Sequence, residues 1–409
     1  MDHLENNTLL NERQHAFRKQ HSCETQLINV INDWATSIDE CKQTNIFILD
    51  FEKAFDTVPH ELLKSKLHGY GVNKNILNWV DSFLSNRQQC VVVNGTTSSK
   101  EAVRSGVPQG TVLGPILFLI HINDINENVS SEARLFADDC VCYREIKDVE
   151  DCKILQRDIN ILGDWAEKNG MRFQPIKCNI MRLSRKRKSI DFKYTLKGVE
   201  LEKLDAIKYL GVNITSNLHW GKHVEEVCNK AFKILGLLRR NLSSCPQDVK
   251  MMAYKGLVRP ILEYASAVWD PHQKYLQDKL EKVQNQAARF IASDYSQEPG
   301  SMTKILEQLK LEPLKQRRKQ SRLVLFYKGL NHQAAIPTSQ LQRPKRMTRT
   351  MHSEHFVNIP ARTDILKSSF LPCTVKDFNL LPPEVIEKSR AAKSPVKSFA
   401  AVVKGGSLC

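Results

Sequence analysis

The chain has 409 residues, 41% of them hydrophobic and 26% charged, which is enough apolar side chain to bury more than one core and excludes a disordered chain. Its 60 Lys and Arg against 45 Asp and Glu give a net charge of +15, a balance that favours a polyanionic partner through release of condensed counterions. The longest purely apolar run, Pro115 to Ile120, is too short to span a bilayer, and the 11 cysteines form no CxxC pair, so a membrane-embedded protein, a disulfide scaffold and a zinc knuckle are excluded and reduced thiols in an intracellular compartment are predicted.

Residues 1–45 are polar apart from CETQLINVINDWATSID, where Leu27, Val30, Ile31, Trp34 and Ile38 recur at helical spacing. NIFILDF is short, apolar and β-branched at Ile46 and Ile48, and predicts a buried strand. A helix is predicted from Pro59 to about His68, stopped by Gly69 and Gly71, and another over NKNILNWVDSFL. QQCVVVNG and SSKEAVRSG read as a strand pair turned at Asn94 and Gly95. The GVPQG turn opens a helix from about Val112 to Ile125. EARLFADDCVCYREI reads as two strands meeting at a tight polar bend, Asp138 and Asp139. From Val149 to Asn169, Cys152, Leu155, Ile159, Leu162 and Ala166 mark one apolar helix face, with Gly170 as a natural stop. CNIMRLS and KYLGVNIT predict strands that bracket a basic insert, SRKRKS, and a GVELEKL hairpin. From Trp220 onward three long helical patterns follow, VEEVCNKAFKILGLLRRNL, DVKMMAYKGLVRPILEYASAVW and KYLQDKLEKVQNQAARFIA, and then short helical patterns mixed with basic stretches such as KQRRKQ and RPKRMTR.

The chemistry of this pattern lies in its carboxylates. Asp50 ends a buried apolar strand, where an ionised carboxylate is costly without a partner or a metal. Asp138 and Asp139 are adjacent like charges, which repel unless a cation is shared between them. Taken alone, an Asp-Asp bend is usually a solvated turn. Three carboxylates converging on one locus instead suit hard Mg²⁺ ions, which prefer oxygen ligands and promote in-line phosphoryl displacement when paired.

DFEKAFDTVPH, SGVPQGTVLGPILFLIHINDI, LFADDCVCYR and KYLGV, in that order, resemble the palm and thumb-base motifs of non-LTR retrotransposon reverse transcriptases, in particular the Jockey and CR1 groups. The likeness continues through YKGLVRPILEYASAVWDPH and LEKVQNQAARF, and more loosely to FNLLPPEV. The resemblance implies an α+β right-hand polymerase: a palm with an antiparallel sheet in a split βαβ arrangement, then a helical thumb and a basic helical tail. It implies a remnant of the fingers over residues 1–45, a palm over 46–185, a thumb and connection region over 186–300 and a basic carboxy-terminal region over 301–409. The activity implied is RNA-directed DNA synthesis with an RNA template, a DNA primer and deoxynucleoside triphosphates, in a ribonucleoprotein of the nucleus or cytoplasm. The alternative is an inactive remnant that at most binds nucleic acid.

Carried over by position, the resemblance makes Asp50, Asp138 and Asp139 the catalytic carboxylates holding two Mg²⁺ ions, or Mn²⁺ in their place, with the backbone carbonyl of Phe51 as a further ligand. Phe55 matches the bulky residue whose ring excludes a 2′-hydroxyl by steric clash. Gln109 and Gly110 match the turn that contacts the incoming nucleotide and the template base. Arg18, beside Lys19, matches a fingers element that binds the triphosphate. Lys177 is placed like the lysine that protonates the leaving pyrophosphate, and Tyr209, Leu210 and Gly211 like the primer grip. An Arg-Pro-Ile-Ser-like fingers segment and an apurinic-type endonuclease are not among these residues, so an amino-terminally truncated chain is expected, with Ala16 where Gly is usual. The basic runs Arg185 to Lys188, Arg239 with Arg240, Arg317 to Lys319, and Lys345 to Arg349 are expected to neutralise phosphates.

Overall fold

The computed structural model describes residues 1–346, 348 and 351–405. The chain divides into two compact units, residues 1–23 with 42–205, and residues 24–41 with those from 206 onward.

The first unit is built on five strands: β1 (Gln43–Leu49), β2 (Glu132–Phe136), β3 (Asp139–Ile146), β4 (Asn179–Leu183) and β5 (Glu202–Lys203). They are ordered β5-β4-β1-β3-β2, with β1 antiparallel to both β3 and β4, β2 antiparallel to β3, and only the short β5 parallel to its neighbour. Helices His60–Gly69, Lys74–Leu84 and Leu113–Ile122 connect β1 to β2, and Val149–Lys168 connects β3 to β4. The order β4-β1-β3-β2 with those crossovers is the split βαβ arrangement. Strand alternation decides which face is covered. Phe47 and Leu49 of β1, Ala133 and Leu135 of β2, and Cys140 and Cys142 of β3 join Leu63, Leu67, Leu117, Phe118, Leu155 and Ile159 of the helices in one buried core. Each such side chain contributes about 1.5–3 kcal/mol of burial. Ile46, Ile48 and Asp50 therefore belong to the opposite face.

Between Leu84 and the GVPQG turn the chain makes one exposed hairpin with an interrupted ladder. Gln88–Gln89 pairs with Glu101–Ala102, and Val92–Val93 with Thr96–Thr97 through Asn94 and Gly95 at φ 50° and 83°. The strand pair expected here, turned at Asn94 and Gly95, is present, and its ladder is interrupted at the middle, where Val91 N–H donates to Ser98 Oγ instead of a backbone carbonyl (2.9 Å).

The second unit is helical, apart from the hairpin formed by Ala206–Tyr209 and Val212–Thr215. KYLGVNIT, expected as one strand, is thereby folded in two at Leu210 and Gly211, both at positive φ. The segment DVKMMAYKGLVRPILEYASAVW is not one helix either. It runs as Gln247–Ala253, a π-helical turn Tyr254–Val258, Arg259–Glu263 and Ser266–Trp269, since Pro260 lacks the N–H an α-helix needs and Ala265 turns left-handed at φ 49°. The helix Cys23–Asp39 buries Leu27, Ile28, Val30, Ile31, Trp34 and Ile38. Within this unit its Asn29 Nδ2 donates to the Ala335 carbonyl (3.0 Å), and the Asp39 carboxylate accepts from the N–H and Oγ1 of Thr363, both at 2.7 Å. These hydrogen bonds explain why the compact units depart from the four-part division expected from sequence: residues 24–41 group with helices that lie far along the chain.

Candidate active site

The register of β1 against β3 ends at Leu49 opposite Cys140, so one step further Asp50 meets Asp139 across the ladder, on the face away from the crossover helices. Asp50 is fixed by its own backbone. Its N–H points to Cys178 Sγ (3.5 Å), its carbonyl accepts from Gln174 N–H (2.8 Å), and Phe51 bridges to Phe173, their rings stacked at 4.1 Å. On the other side, Phe136 pairs with Asp139 across a two-residue turn made by Ala137 and Asp138. Ala137 sits at φ 54°, a left-handed conformation that costs an L-residue roughly 1–2 kcal/mol.

The Asp50 charge reaches both carboxyls of the pair. Burial, then the charges of Asp138 and Asp50, push the Asp139 carboxyl up to about 6. Asp138 is also raised, by burial first and by Asp50, against a backbone hydrogen bond that lowers it. Lys177 Nζ is 3.8 Å from Asp50 Oδ1 and half exposed, so it offsets only part of this repulsion. Among the described residues no three His, Cys, Asp or Glu side chains form a ready-made cation cage. The donor set nonetheless fits hard divalent ions. It is all oxygen, it is mutually repelling, and it is open enough for water and substrate to complete the coordination.

A test of this repulsion follows. Since the folded-state value of Asp139 lies above the unfolded one, the fold binds extra proton between about pH 4 and pH 6, and this group costs stability that grows as pH rises through that window. Asp139→Asn should therefore gain on the parent by on the order of 2 kcal/mol between pH 4 and pH 7 without divalent ions. Saturating Mg²⁺ should narrow the gap at pH 7. Equilibrium unfolding of both proteins across pH checks it, and a pH-independent difference would refute it.

Two segments, one following Asp50 and one preceding Gln109, are tied together by hydrogen bonds. Val107 N–H donates to the Phe55 carbonyl (2.7 Å), Gly106 N–H to the Val58 carbonyl (2.8 Å), and Ser105 Oγ to the Asp56 carbonyl (2.9 Å). Gly106 has φ 90° and a Cβ there would lie 2.8 Å from the Asp56 backbone, so only glycine permits the approach. Phe55 stacks on Phe118 with centroids 4.3 Å apart, and the exposed Gln109 donates through Nε2 to Asp56 Oδ1 (3.2 Å). Gly110 follows at φ 74°. Asp56 and Cys178 were not singled out by sequence. Asp56 could have been, as a second acid in DFEKAFD, whereas a lone cysteine carries no such signal.

Other expected residues are engaged elsewhere. Arg18 is largely buried, with Nη2 3.0 Å from Glu5 Oε2 and Nη1 donating to the Asn11 carbonyl (2.8 Å). In the second unit, Gln26 Nε2 donates to the Tyr209 hydroxyl (3.1 Å), and the Leu210 carbonyl accepts from Tyr264 OH (3.0 Å). Gly211 is at φ 80° with the Tyr264 ring close beside it. Among the basic runs, Arg185 to Lys188 and Lys345 with Arg346 are exposed, while Arg349 lies outside the described residues. Arg239 donates to the Gln286 carbonyl (2.9 Å). The run Arg317 to Lys319 is held in ion pairs instead, with Arg318 buried and its neighbours partly exposed: Arg317 pairs with Glu263, Arg318 with Asp270 (2.6 Å) and Lys319 with Asp377 (3.2 Å).

A split βαβ sheet with aspartates at the end of its central strand and on the adjoining hairpin is the palm of a template-directed polymerase. Residues 1–214 match the family described as reverse transcriptase (RNA-dependent DNA polymerase), and the chain belongs to that family. It is similar to the probable RNA-directed DNA polymerase from transposon X-element of Drosophila melanogaster, 29% identical over 294 residues, which cover 68% of this chain and 32% of that protein. The probable RNA-directed DNA polymerase from transposon BS of the same fly is 28% identical over 302 residues, 69% of this chain and 33% of that protein. The chain thus spans about a third of the length of these curated relatives. Among solved structures, apo telomerase from Candida tropicalis superposes with a TM-score of 0.43 at 11% identity, covering 78% of this chain and 50% of that one.

Proposed function

We propose that this chain is the polymerase core of a non-LTR retrotransposon reverse transcriptase, extending a DNA primer on an RNA template from deoxynucleoside triphosphates, in a ribonucleoprotein of the nucleus or cytoplasm. The observation that carries the reading is the meeting of Asp50 with Asp138 and Asp139, where the Asp50 charge helps raise both carboxyls of the pair at one end of the palm sheet. Asp50, Asp138 and Asp139 would hold two Mg²⁺ ions, or Mn²⁺, with the Phe51 carbonyl beside them. Bound there, the ions would acidify the primer hydroxyl and offset charge on the leaving pyrophosphate. Phe55, braced by Phe118, would bar a 2′-hydroxyl, and Gln109 with Gly110 would contact the incoming nucleotide. Lys177, with Nζ 3.8 Å from Asp50 Oδ1, would protonate the leaving group. Arg18 would reach the triphosphate only by leaving Glu5. In this reading the fingers segment, palm, thumb and basic tail occupy 1–45, 46–185, 186–300 and 301–409, and Tyr209, Leu210 and Gly211 grip the primer.

Primer extension on an RNA template by the purified chain, with Mg²⁺ or Mn²⁺, tests the reading. RNA binding without any synthesis would leave the inactive binding module in its place. Binding has its own expected signature. Replacing Arg185, Lys186, Arg187 and Lys188 together by Ala should reduce the salt slope of single-stranded RNA affinity by roughly 0.7 for each phosphate no longer neutralised. Arg318→Ala should leave the slope unchanged and destabilise the fold by about 1.5–3 kcal/mol, because Asp270 loses one charged hydrogen bond while keeping its pair with Arg322. Filter binding across a salt series and denaturant unfolding separate the two effects, and a slope that falls with Arg318→Ala would refute its assignment to a buried ion pair.

A further inference from the structure

We propose that Gln14 is a positioning residue for the paired aspartates, fixing the left-handed turn at Ala137 through its side-chain oxygen. The inference rests on the reading of Asp138 and Asp139 as cation-holding groups and extends it to a residue outside the palm motifs.

The segment ERQHAF runs along the outer edge of β2. Leu135 N–H donates to the Arg13 carbonyl (3.0 Å) and His15 N–H to the Leu135 carbonyl (2.9 Å), so Gln14 lies parallel to Leu135. This places the Gln14 side chain, 2% exposed, at the end of the β2–β3 hairpin. Its Oε1 accepts two backbone N–H groups, from Ala16 at 2.9 Å and from Ala137 at 3.0 Å. The second bond matters more. The first residue of a two-residue hairpin turn directs its N–H out of the ladder, where a buried amide needs some other acceptor. Ala137 is 6% exposed and its N–H finds that acceptor in Gln14.

The other end of the same side chain shows what the residue is for. Gln14 Nε2 is buried without a hydrogen-bond partner, at a cost of about 1–3 kcal/mol. An apolar residue of equal length would avoid that cost and fill the same space. Gln is therefore kept for its oxygen. A flipped amide would set NH₂ against two N–H donors, so the orientation is fixed as well. Because Ala carries a Cβ that resists positive φ, the turn holds its shape only while its surroundings over-determine it. The next two residues along the chain are Asp138 and Asp139, whose oxygen positions follow from the turn.

Two variants and a control decide the matter. Gln14→Met keeps length and bulk but loses the acceptor. Gln14→Glu keeps an oxygen able to accept both amides in either protonation state. Leu10→Ala, four residues before Gln14 and 3% exposed, lowers stability without touching the turn. Hydrogen exchange at the Ala137 amide, melting temperature and Mn²⁺ affinity by electron paramagnetic resonance are measured on the full chain. In Gln14→Met the amide should exchange at least about tenfold faster and Mn²⁺ should bind roughly 10-fold more weakly, the range known for partners that orient metal ligands. Gln14→Glu should restore both, and Leu10→Ala should lose melting temperature while keeping Mn²⁺ affinity. Parental exchange in Gln14→Met overturns the proposal, as does an equal loss of Mn²⁺ affinity in Leu10→Ala, which would mark Gln14 as merely structural. A parent that binds no Mn²⁺ would overturn the reading of the site and this role with it, an outcome distinct from a brace that fails while the parent still binds.

Discussion

Asp138→Asn is expected to abolish RNA-templated primer extension while leaving RNA binding at parental strength or slightly tighter. The substitution removes one charged oxygen donor from a site whose other members are Asp50 and Asp139, and several kcal/mol of charge stabilisation in the transition state go with it. At 1.36 kcal/mol per decade, the loss is on the order of 10³-fold or more. Binding moves the other way because a negative charge that repels phosphate has gone. Extension assays and filter binding on one preparation read both quantities. Synthesis within tenfold of the parent would show that Asp138 holds nothing the reaction needs.

Phe55→Val should let ribonucleotides in. The ring is braced on one face, since it lies against Phe118 at 4.3 Å with the planes only 17° apart, and Phe118 is itself fully buried. An added oxygen on the sugar would have to displace both rings. Removing the clash is worth about 1–3 kcal/mol, so discrimination between deoxy- and ribonucleotides should fall by roughly 10–100-fold. Single-nucleotide incorporation with matched deoxy- and ribonucleoside triphosphates measures it. If the ratio stays parental, the gate is elsewhere.

The palm strands and their order along the chain were readable because their signals are local: an apolar β-branched run ending in Asp50, and a bend bearing Asp138 and Asp139. The helix Val149–Lys168 was equally plain from its spacing. What escaped was set by neighbours distant in sequence. Ala137 carries no mark of a left-handed turn, because that conformation is imposed by Gln14 from across the sheet edge. Arg317, Arg318 and Lys319 look like a solvated basic face, and only the placement of Glu263, Asp270 and Asp377 ties them into ion pairs. Arg18 is a similar case, since its acid partner, Glu5, has no spacing that announces the pair. The hairpin at Leu210 and Gly211 was hidden by a Leu where a two-residue turn of this kind usually takes Asn or Asp.

The docking of the helix Cys23–Asp39 among helices of the second unit has a consequence for how the chain is made. Asp39 and Thr363 are 324 residues apart. At about 5–20 residues per second the ribosome needs tens of seconds to deliver the second after the first. For most of that interval an amphipathic helix bearing Trp34 and Ile31 is outside the exit tunnel with its carboxy-terminal partners unwritten. The first unit can close its sheet as soon as β5 emerges, but the second must wait for its own carboxy-terminal helices before it can take up a segment translated near the start. Nascent chains are therefore most exposed to chaperones and to misassociation through residues 24–41, and a stop codon late in the reading frame would injure an early helix.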